Sequence, residues 1–409
     1  MRKLIKKYAW LFVLIFILSL FPQSLSDQAR LSMRVIITGI GIDYLDGQYQ
    51  VTSQVVLPQN GTESGGISAH ISYVSATAKT VADGVQRVSY KLGKLAELSH
   101  IEFILVGESM KEHNLASSLD YFFRNFKIKK SVMLLACPGE AKETIFKTSE
   151  LELGVALSLQ KIFLTNENSL NAVETSYVDF ISQSHSTSSC CVLDTLVITS
   201  PEKQNSSSNS SQQESQSQNQ ASESSEIKTK SPLYLYKNGL FHGSITQRDE
   251  ILGYYLSSRD SKTGNIYIQD FSFGEIQSAN INVRVDNMNK QHSISFSNGK
   301  PVHTININLK EIKIDEIAAK IYASPTTYNL LDYSTQQAIL QRLKDDIKAY
   351  INSTFVASQN LNFDIFQTAD LANKFDNKKW QTFIQNLPQK DQYIKDVSVV
   401  VNVSIDRIT

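Results

Sequence analysis

Several features that are common in small secreted or catalytic proteins are scarce in this sequence. Only three cysteines occur among 409 residues, which excludes a disulfide scaffold and leaves too few thiolates for a structural zinc site. Neither sign of charge is in excess, since 40 Lys and Arg residues balance 40 Asp and Glu residues. A dedicated nucleic-acid binder needs surplus cations to displace counterions, so nucleic acid is not an expected partner. Hydrophobic residues make up 41% of the chain, which suffices for the cores of two or three domains.

Motifs of catalytic and metal sites are also missing. The seven histidines show no metal-ligand spacing, and there is neither a nucleophile elbow nor a Walker loop. Gly39-Ile40-Gly41 is a fragment of a dinucleotide fingerprint whose third glycine would fall at Tyr44. We interpret Gly39 and Gly41 as sites of close backbone packing, and Asp43 as either a ligand or the start of a turn. The sequence therefore predicts no catalytic residue, cofactor or metal, and favours a binding or structural module.

One long hydrophobic run is present, near the start of the chain. It covers residues 8–21, is interrupted by few polar residues, and follows a basic segment that contains Arg2, Lys3, Lys6 and Lys7. This order is typical of a secretory signal, and the run is shorter than the roughly 20 apolar residues of a membrane span. We predict that residues 1–26 are a signal peptide cleaved after Ser26, or an uncleaved N-terminal anchor. Either alternative places the bulk of the protein outside the cytoplasmic membrane.

The three cysteines have two interpretations in that compartment. Either Cys190 or Cys191 could form a disulfide with Cys137, which would leave one free thiol. Alternatively, all three are small hydrophobic residues of the core, where free cysteine often lies. The second interpretation is favoured.

The first half of the chain predicts a mixed α/β domain over residues 27–201. Residues 34–42 and 48–57 are rich in β-branched side chains and flank Asp46-Gly47, a pattern typical of a hairpin. Apolar residues then recur at helical spacing over residues 78–92 and 115–126, and each stretch is followed by a short apolar strand. A more helical stretch is predicted from about residue 140 to 182.

A change of composition separates this domain from the second one. Residues 202–230 consist largely of Ser, Gln and Asn and cannot bury apolar area, so we predict a disordered linker. Residues 231–409 then predict an α+β domain. It contains a hairpin at Asn298-Gly299, a long amphipathic helix from about residue 339 to 355, and a final strand. The predicted fold class is therefore α+β and multidomain, with a sheet-and-helix domain preceding the α+β domain.

Several segments resemble the Ger(x)C (GerAC-like) proteins, the C subunits of bacterial spore-germination nutrient receptors. The family's opening strand pair resembles RVIITGIGIDYLDGQYQVTSQVVLP, and its next helix and strand resemble TAKTVADGVQRVSYKLGKLAELSHIEFILVGESM. Its last segments resemble FDIFQTADLANKFDNKKWQTFIQN and DVSVVVNVSIDRI. The positions of this sequence that match the family pattern are Gly39, Gly41, Asp43, His100, Gly107, Glu108, Arg124, Asp364 and Trp380. The resemblance implies structural roles for these residues.

The resemblance also implies partners and a location. The partners would be two integral-membrane receptor subunits, one permease-like and one larger A-type subunit, at the outer face of the bacterial cytoplasmic (spore inner) membrane. Family members normally carry a lipid on a cysteine after the signal, but this chain has Leu25 near that position. Lipidation is therefore not expected, and the protein would be held by its N-terminal anchor, held by its partners, or released.

Three hypotheses for the function follow. The leading one is a non-catalytic extracytoplasmic subunit of a germinant-receptor-like membrane complex that takes part in nutrient-triggered germination. The second is a stand-alone extracytoplasmic ligand-binding or cell-envelope protein with the same fold. The third is a secreted hydrolase, which would need a deep pocket that gathers carboxylates or histidines with perturbed pKa values.

Overall fold

The computed structural model describes residues 33–60, 67–125, 127–147, 175–199, 226–228, 232–258, 263–274, 276–321 and 333–406. Within these residues helices combine with four separate sheets, which confirms the predicted α+β, multidomain class. The predicted signal or anchor at residues 1–26 lies outside the described residues, as do residues 202–225 and 229–230 of the predicted linker. The end of that linker differs from the expectation, because Glu226–Lys228 form a short strand.

The first sheet contains six strands in the order β3-β2-β1-β5-β6, with β4 pairing beside β5 on β1. The β1–β2 and β2–β3 pairs are antiparallel, whereas β4 and β5 are parallel to β1, and β6 is parallel to β5. The strands are β1 Arg34–Leu45, β2 Gln48–Asn60, β3 Ile67–Ala78, β4 Leu95–Glu97, β5 Phe103–Val106 and β6 Met133–Ala136. The helices around this sheet are α1 Val81–Leu92, α2 Leu115–Arg124, α3 Ala141–Lys147 and α4 Tyr177–Ser184.

Local sequence signals account for the early part of this sheet. Asp46 and Gly47 both adopt positive φ angles, of 50° and 77°, as a two-residue hairpin turn of the type I′ class requires. The predicted hairpin is therefore confirmed. Helix α1 begins after Thr80, whose side chain accepts the Asp83 amide at 3.2 Å, and ends at Gly93 with a φ of 60°. These are the expected N-terminal and C-terminal caps of a helix.

The second sheet has strands from both sides of the predicted linker. Strand β7 (Cys190–Leu193) precedes the linker, and β10 (Leu233–Lys237) and β11 (Leu240–Ile245) follow it; the order is β11-β10-β7. The remaining short strands, β8 (Val197–Thr199) and β9 (Glu226–Lys228), pair with each other. The chain therefore leaves the second sheet at β7 and returns to it at β10.

Both faces of β10 are buried, in two different cores. Leu233 and Leu235 belong to the core that the C-terminal elements form, whereas Tyr234 and Tyr236 belong to the core of the first sheet. Side chains alternate across a strand, so a strand with no polar face can separate two hydrophobic layers. The second sheet is therefore a wall shared by the two halves of the protein.

The C-terminal half contains a four-stranded sheet in the order β12-β13-β14-β15. Strands β12 to β14 are antiparallel, and β15 is parallel to β14. The elements are α5 Arg248–Ser257, β12 Gly264–Phe273, β13 Ile276–Ser297, β14 Lys300–Ile321, α6 Tyr333–Asn360, α7 Thr368–Phe375, α8 Asn377–Asn386, a 3₁₀ helix Lys390–Asp396, and β15 Ser398–Ile405. The long helix and the final strand are confirmed, as is the turn at Asn298-Gly299.

Strands β13 and β14 are much longer than the sequence predicts. The sequence predicts strands only over about residues 281–285 and 305–309, and Pro301 obscures the start of the return strand. In the structure each strand has 22 residues, and Pro301 pairs with Phe296 close to the turn. Register shifts near Val283 and Asn287 interrupt the ladder, and such bulges bend a strand and increase its twist. The bent hairpin pairs with β12 at one end and with β15 at the other.

The shared wall predicts that the two halves lose stability together. Replacing the fully buried Leu235 by Ala leaves a cavity, and such substitutions cost about 2–5 kcal/mol. Because β10 belongs to both cores, we expect a single calorimetric unfolding transition, shifted to lower temperature. Leu240→Ala is the matched control, because Leu240 lies on the neighbouring strand and is 48% exposed. If the protein unfolds in two transitions and Leu235→Ala shifts only one of them, the idea that both halves share the second sheet is contradicted.

Candidate functional site

Asp43 is buried at the carboxyl end of the parallel strands β1 and β5. Its two carboxylate oxygens accept the backbone amides of Ala141 at 2.7 Å and Lys142 at 3.0 Å. The first amides of a helix have no partner inside the helix, so this carboxylate caps the N-terminus of α3. Asp43 therefore lies inside β1 and does not begin a turn, which corrects that interpretation; the turn is at Asp46-Gly47. Burial raises the pKa of Asp43, and the two amides partly offset the increase.

The neighbouring glycines make room for this contact. A Cβ atom at Gly107 would overlap the Asp43 carboxylate, and one at Gly41 would lie 2.7 Å from the Ile145 side chain of α3. Gly39 is covered by the ring of Phe103, which leaves no space for a Cβ. The interpretation of Gly39 and Gly41 as close backbone packing is therefore confirmed.

Glu108 links this region to the second sheet. Its carboxylate binds the Lys111 ammonium at 2.7 Å and accepts the Gly139 amide at 3.3 Å. The hydrogen bond from Lys111, followed by that from Gly139, lowers the pKa of Glu108. Lys111 in turn lies over the rings of Tyr234 and Phe241, at 4.2 and 4.8 Å from the ring centres. The ion pair and the cation–π contacts join the end of the first sheet to β10 and β11.

The other two matched positions of the N-terminal half lie at the surface. His100 is exposed in the loop between β4 and β5. Arg124 is the last residue of α2, where its side chain is 77% exposed and pairs with Asp120 at 2.5 Å. The structure thus brings Gly41, Asp43, Gly107 and Glu108 together and leaves His100 and Arg124 as separate surface residues.

Asp364 is a second buried capping aspartate, in the C-terminal half. It accepts the amides of Thr368 and Ala369, at the start of α7, and the Tyr393 hydroxyl, each at 2.8 Å. Burial raises the pKa of Asp364, partly offset by these hydrogen bonds. The Tyr393 ring also packs edge-on against Trp380, with 5.3 Å between ring centres. Tyr393 therefore joins Asp364 to Trp380, the two matched positions of this half.

A histidine pair that the sequence analysis did not find extends this cluster. The His303 ring lies between Thr368 Oγ1, at 2.9 Å, and His292 Nδ1, at 3.0 Å. His292 Nε2 lies 2.9 Å from the carbonyl oxygen of Ser257, at the end of α5. The two histidines are on opposite strands of one hairpin, and the turn at Asn298-Gly299 fixes their register. Counting back from that turn would have placed them near each other.

The cysteines are free and buried, so the core interpretation is confirmed and the disulfide alternative is wrong. Burial raises the pKa of Cys137 and of Cys190 to about 12. Adjacent residues on a strand point to opposite faces. Cys190 accordingly belongs to the C-terminal core and Cys191 to the core of the first sheet.

Metal-ligand groups and two cavities of the described residues bear on the hydrolase hypothesis. No group of three or more His, Cys, Asp or Glu side chains among them could hold a metal ion. A cavity of about 810 Å³ next to α1 has Glu97 as its only carboxylate, and Glu97 pairs with Arg34. A cavity of about 310 Å³ next to α5 has Asp249 as its only carboxylate and no histidine. Neither cavity has the lining that the hydrolase hypothesis needs.

Within the described residues, no helix combines the length and the hydropathy that crossing a membrane requires.

Gly107→Ala tests the packing of Asp43 against α3. Because the added methyl group has no space, we expect a loss of about 2 kcal/mol or more in the free energy of unfolding. The matched control is Gly243→Ala, whose Cβ would meet only Leu361 at an ordinary distance of 3.7 Å. Urea unfolding of the full chain measures both, and equal stabilities of the two variants would contradict the packing role.

Asp364 and Asp376 predict opposite effects of pH. Burial raises the pKa of Asp364 above its ordinary value of 3.8, so the folded state binds the proton more tightly than the unfolded state. Its contribution to stability therefore falls as the pH rises from about 4 through the raised pKa. Hydrogen bonds from Lys379 lower the pKa of Asp376, the N-cap of α8. The contribution of Asp376 to stability is present above pH 3.8 and is lost as the pH falls through its lowered pKa.

Urea unfolding across pH measures the two effects. Relative to Asp364→Asn, the wild-type protein should lose stability as the pH rises. Relative to Asp376→Asn, it should lose stability as the pH falls. A constant difference between wild type and Asp364→Asn across the range would show that burial does not control this carboxyl group.

Two sequence profiles match the chain in order. Residues 27–198 match the spore germination protein N-terminal domain, and residues 235–408 match the C-terminal domain described as spore germination B3/GerAC like. The two matches flank the predicted linker.

Individual relatives match shorter parts. Spore germination protein B3 of Bacillus subtilis (strain 168) is 29% identical over 135 residues, which are 32% of this chain and 36% of that protein. The putative spore germination protein YfkR of the same strain is 24% identical over 132 residues, or 31% of this chain and 34% of that protein. The matched region thus spans about a third of the length of each relative.

One solved structure has a similar fold over most of the chain. The crystal structure of the GerBC protein superposes with a TM-score of 0.51 at 13% sequence identity, and the match covers 90% of this chain and 96% of that one. At this identity the similarity concerns the fold alone. Since the two profiles together cover most of its length, the chain belongs to the GerAC-like family of spore germination proteins.

Proposed function

We propose that this protein is the non-catalytic C-type subunit of a spore germinant-receptor membrane complex and acts in nutrient-triggered germination. The observation that carries the proposal is the ordered match of both family profiles, over residues 27–198 and 235–408. The fold shared with GerBC over most of both chains supports it. We also propose the division into domains at residues 27–201 and 231–409, which the ends of the two profiles support.

The use of the buried carboxylates supports a non-catalytic role. Asp43 and Asp364 each bind two backbone amides at the start of a helix, so their oxygens are already occupied. A catalytic acid or base must instead reach a substrate atom in a cavity. Asp43 and Asp364 thus stabilise a scaffold, and the protein acts through the surface that this scaffold presents to partners.

The location and the partners complete the proposal. The basic and apolar residues of the segment 1–26 favour an extracytoplasmic domain at the outer face of the membrane. The partners are the permease-like and the A-type integral-membrane subunits. Leu25 stands near the position of the lipid-bearing cysteine, so the N-terminal segment or the partners hold the protein at the membrane without a lipid.

A second candidate function is a stand-alone ligand-binding protein of the cell envelope. The cavity of about 310 Å³ favours it, because the lining includes the rings of Tyr255, Tyr267 and Tyr350 with the charged Arg248 and Asp249. This volume is at the lower end of typical small-molecule sites. Affinity purification of the full chain from membranes separates the two functions: recovery of polytopic membrane proteins supports the receptor subunit, and recovery of the chain alone supports the second candidate.

Deletion of the gene tests the proposed function directly. Spores of the deletion strain should fail to germinate, or germinate slowly, with a specific nutrient, and should respond normally to triggers that bypass receptors. Wild-type and Gly243→Ala genes should restore the response, whereas Gly107→Ala should restore it poorly because the protein is destabilised. A normal response to every nutrient in a strain that also lacks all paralogues would contradict the receptor role.

A further inference from the structure

Strand β15 forms one edge of the C-terminal sheet. Eight of its residues pair with β14 in parallel, from Ser398 opposite Val302 to Ile405 opposite Leu309, with no register shift. Among the described residues, no strand pairs with its other side. An edge of this kind offers a row of backbone hydrogen-bonding groups to another strand.

The register shows which backbone groups face outward. The Asp406 amide donates to the Leu309 carbonyl oxygen at 2.9 Å, so residue 406 bonds toward β14. The N–H and C=O groups of one strand residue point to the same side, and consecutive residues alternate. The groups that point away from β14 are therefore those of Val399, Val401, Val403 and Ile405.

The side chains of these same four residues form an incompletely covered apolar row. All four are partly buried and pack against the rim of the C-terminal core. The intervening residues are exposed on the opposite face; they are Ser398, Val400, Asn402 and Ser404. Between Val397 and Ile405 there is no charged residue and no proline. Charged side chains, prolines and bulges are among the features by which natural proteins protect sheet edges, and β15 has none of these three.

Strand β3, an edge of the first sheet, shows the usual protection. Its Ser75 carbonyl oxygen accepts the Lys91 ammonium at 2.7 Å, and its Thr77 carbonyl oxygen accepts the Arg87 guanidinium at 3.1 Å. Two cations on α1 thus occupy the backbone acceptors of that edge. No described side chain binds the outward backbone groups of Val399, Val401, Val403 and Ile405 in this way.

We propose that β15 pairs antiparallel with β15 of a second copy of this chain, about a twofold axis at Asn402. In this register Val399 faces Ile405 of the other copy and Val401 faces its Val403. All four outward residues then meet outward residues, and apolar side chains meet on one face of the sheet. The two four-stranded sheets become one sheet of eight strands.

The sequence of β15 favours this occupant and this register. An antiparallel twofold pair requires the strand to be complementary to itself. The apolar residues at every second position, from Val399 to Ile405, meet that requirement. Moving the axis to Val401 would place Asp396 opposite Asp406 of the other copy, which like-charge repulsion disfavours. With the axis at Asn402, no two charged residues face each other within the strands.

The association is expected to be weak in solution. A single pair of eight-residue strands lies at the small end of specific interfaces, below about 1,200 Å². Confinement of both copies to one membrane would raise their effective concentration and favour the pair. The proposal does not depend on the receptor role.

Disulfide trapping in the full chain, in detergent and in vesicles, tests the pairing. In an antiparallel pair without hydrogen bonds the Cα atoms are about 4.5 Å apart, which suits a disulfide, so Asn402→Cys should form a covalent dimer under mild oxidation. The control is Ser404→Cys on the same exposed face, where the two cysteines would lie about 13 Å apart along the strands and should cross-link little. The native cysteines are buried and free, which keeps the background low.

Sedimentation of Asn402→Lys provides an independent measurement. Asn402 is exposed, so the variant should fold normally, and two lysines facing each other across the axis should remove the concentration-dependent dimer of the wild-type chain. Equal cross-linking of the two cysteine variants, or a wild-type chain that stays monomeric while Asn402→Cys does not cross-link, would overturn the proposal. Cross-linking of Asn402→Cys in membranes to a protein of different mass would also overturn it, in favour of a different partner strand.

Discussion

The burial of β10 on both faces is the constraint on which the rest of the structure depends. One strand supplies leucines to the C-terminal core and tyrosines to the core of the first sheet. A polar residue at any of the positions 233–236 would be buried without solvent, which is costly unless it finds a hydrogen-bond partner. Strand β7 repeats the arrangement with Cys190 and Cys191. The two halves are consequently layers around a common sheet, although a long polar segment separates them in sequence.

Local signals in the sequence predicted those elements that depend on neighbouring residues. The hairpin at Asp46-Gly47 requires positive φ angles that Asp and Gly tolerate, and α6 shows its buried face as a regular apolar repeat. The lengths of β13 and β14 were not predictable in this way. Bulges shift the alternation of side chains in these strands, and one face of β13 carries Asn, Ser and Lys. Only a short apolar part of each strand therefore resembled a strand in the sequence.

Contacts between distant residues account for what the sequence did not reveal. The second sheet needs β7 and β10 to meet across the linker, and no local pattern encodes that pairing. The role of Asp43 depends on the start of α3, which is 98 residues further along the chain. The resemblance to the GerAC-like family indicated Asp43, Gly107 and Asp364 as positions of interest. Only the structure shows that the two aspartates cap helices and that Gly107 leaves room for the Asp43 carboxylate. For His100 and Arg124, which lie at the surface, the described contacts supply no comparable role.

The parallel pairing of β14 with β15 has a consequence for the order of folding. Strands that are parallel neighbours need a crossover between them, and here the crossover contains α6, α7 and α8. Strand β15 follows these helices along the chain and closes a contact of long sequence separation with β14, which is a slow type of event. Until it docks, the edge of β14 that it covers stays open, as does the core behind it. During that interval this edge is the part of the C-terminal sheet most open to incorrect strand pairing.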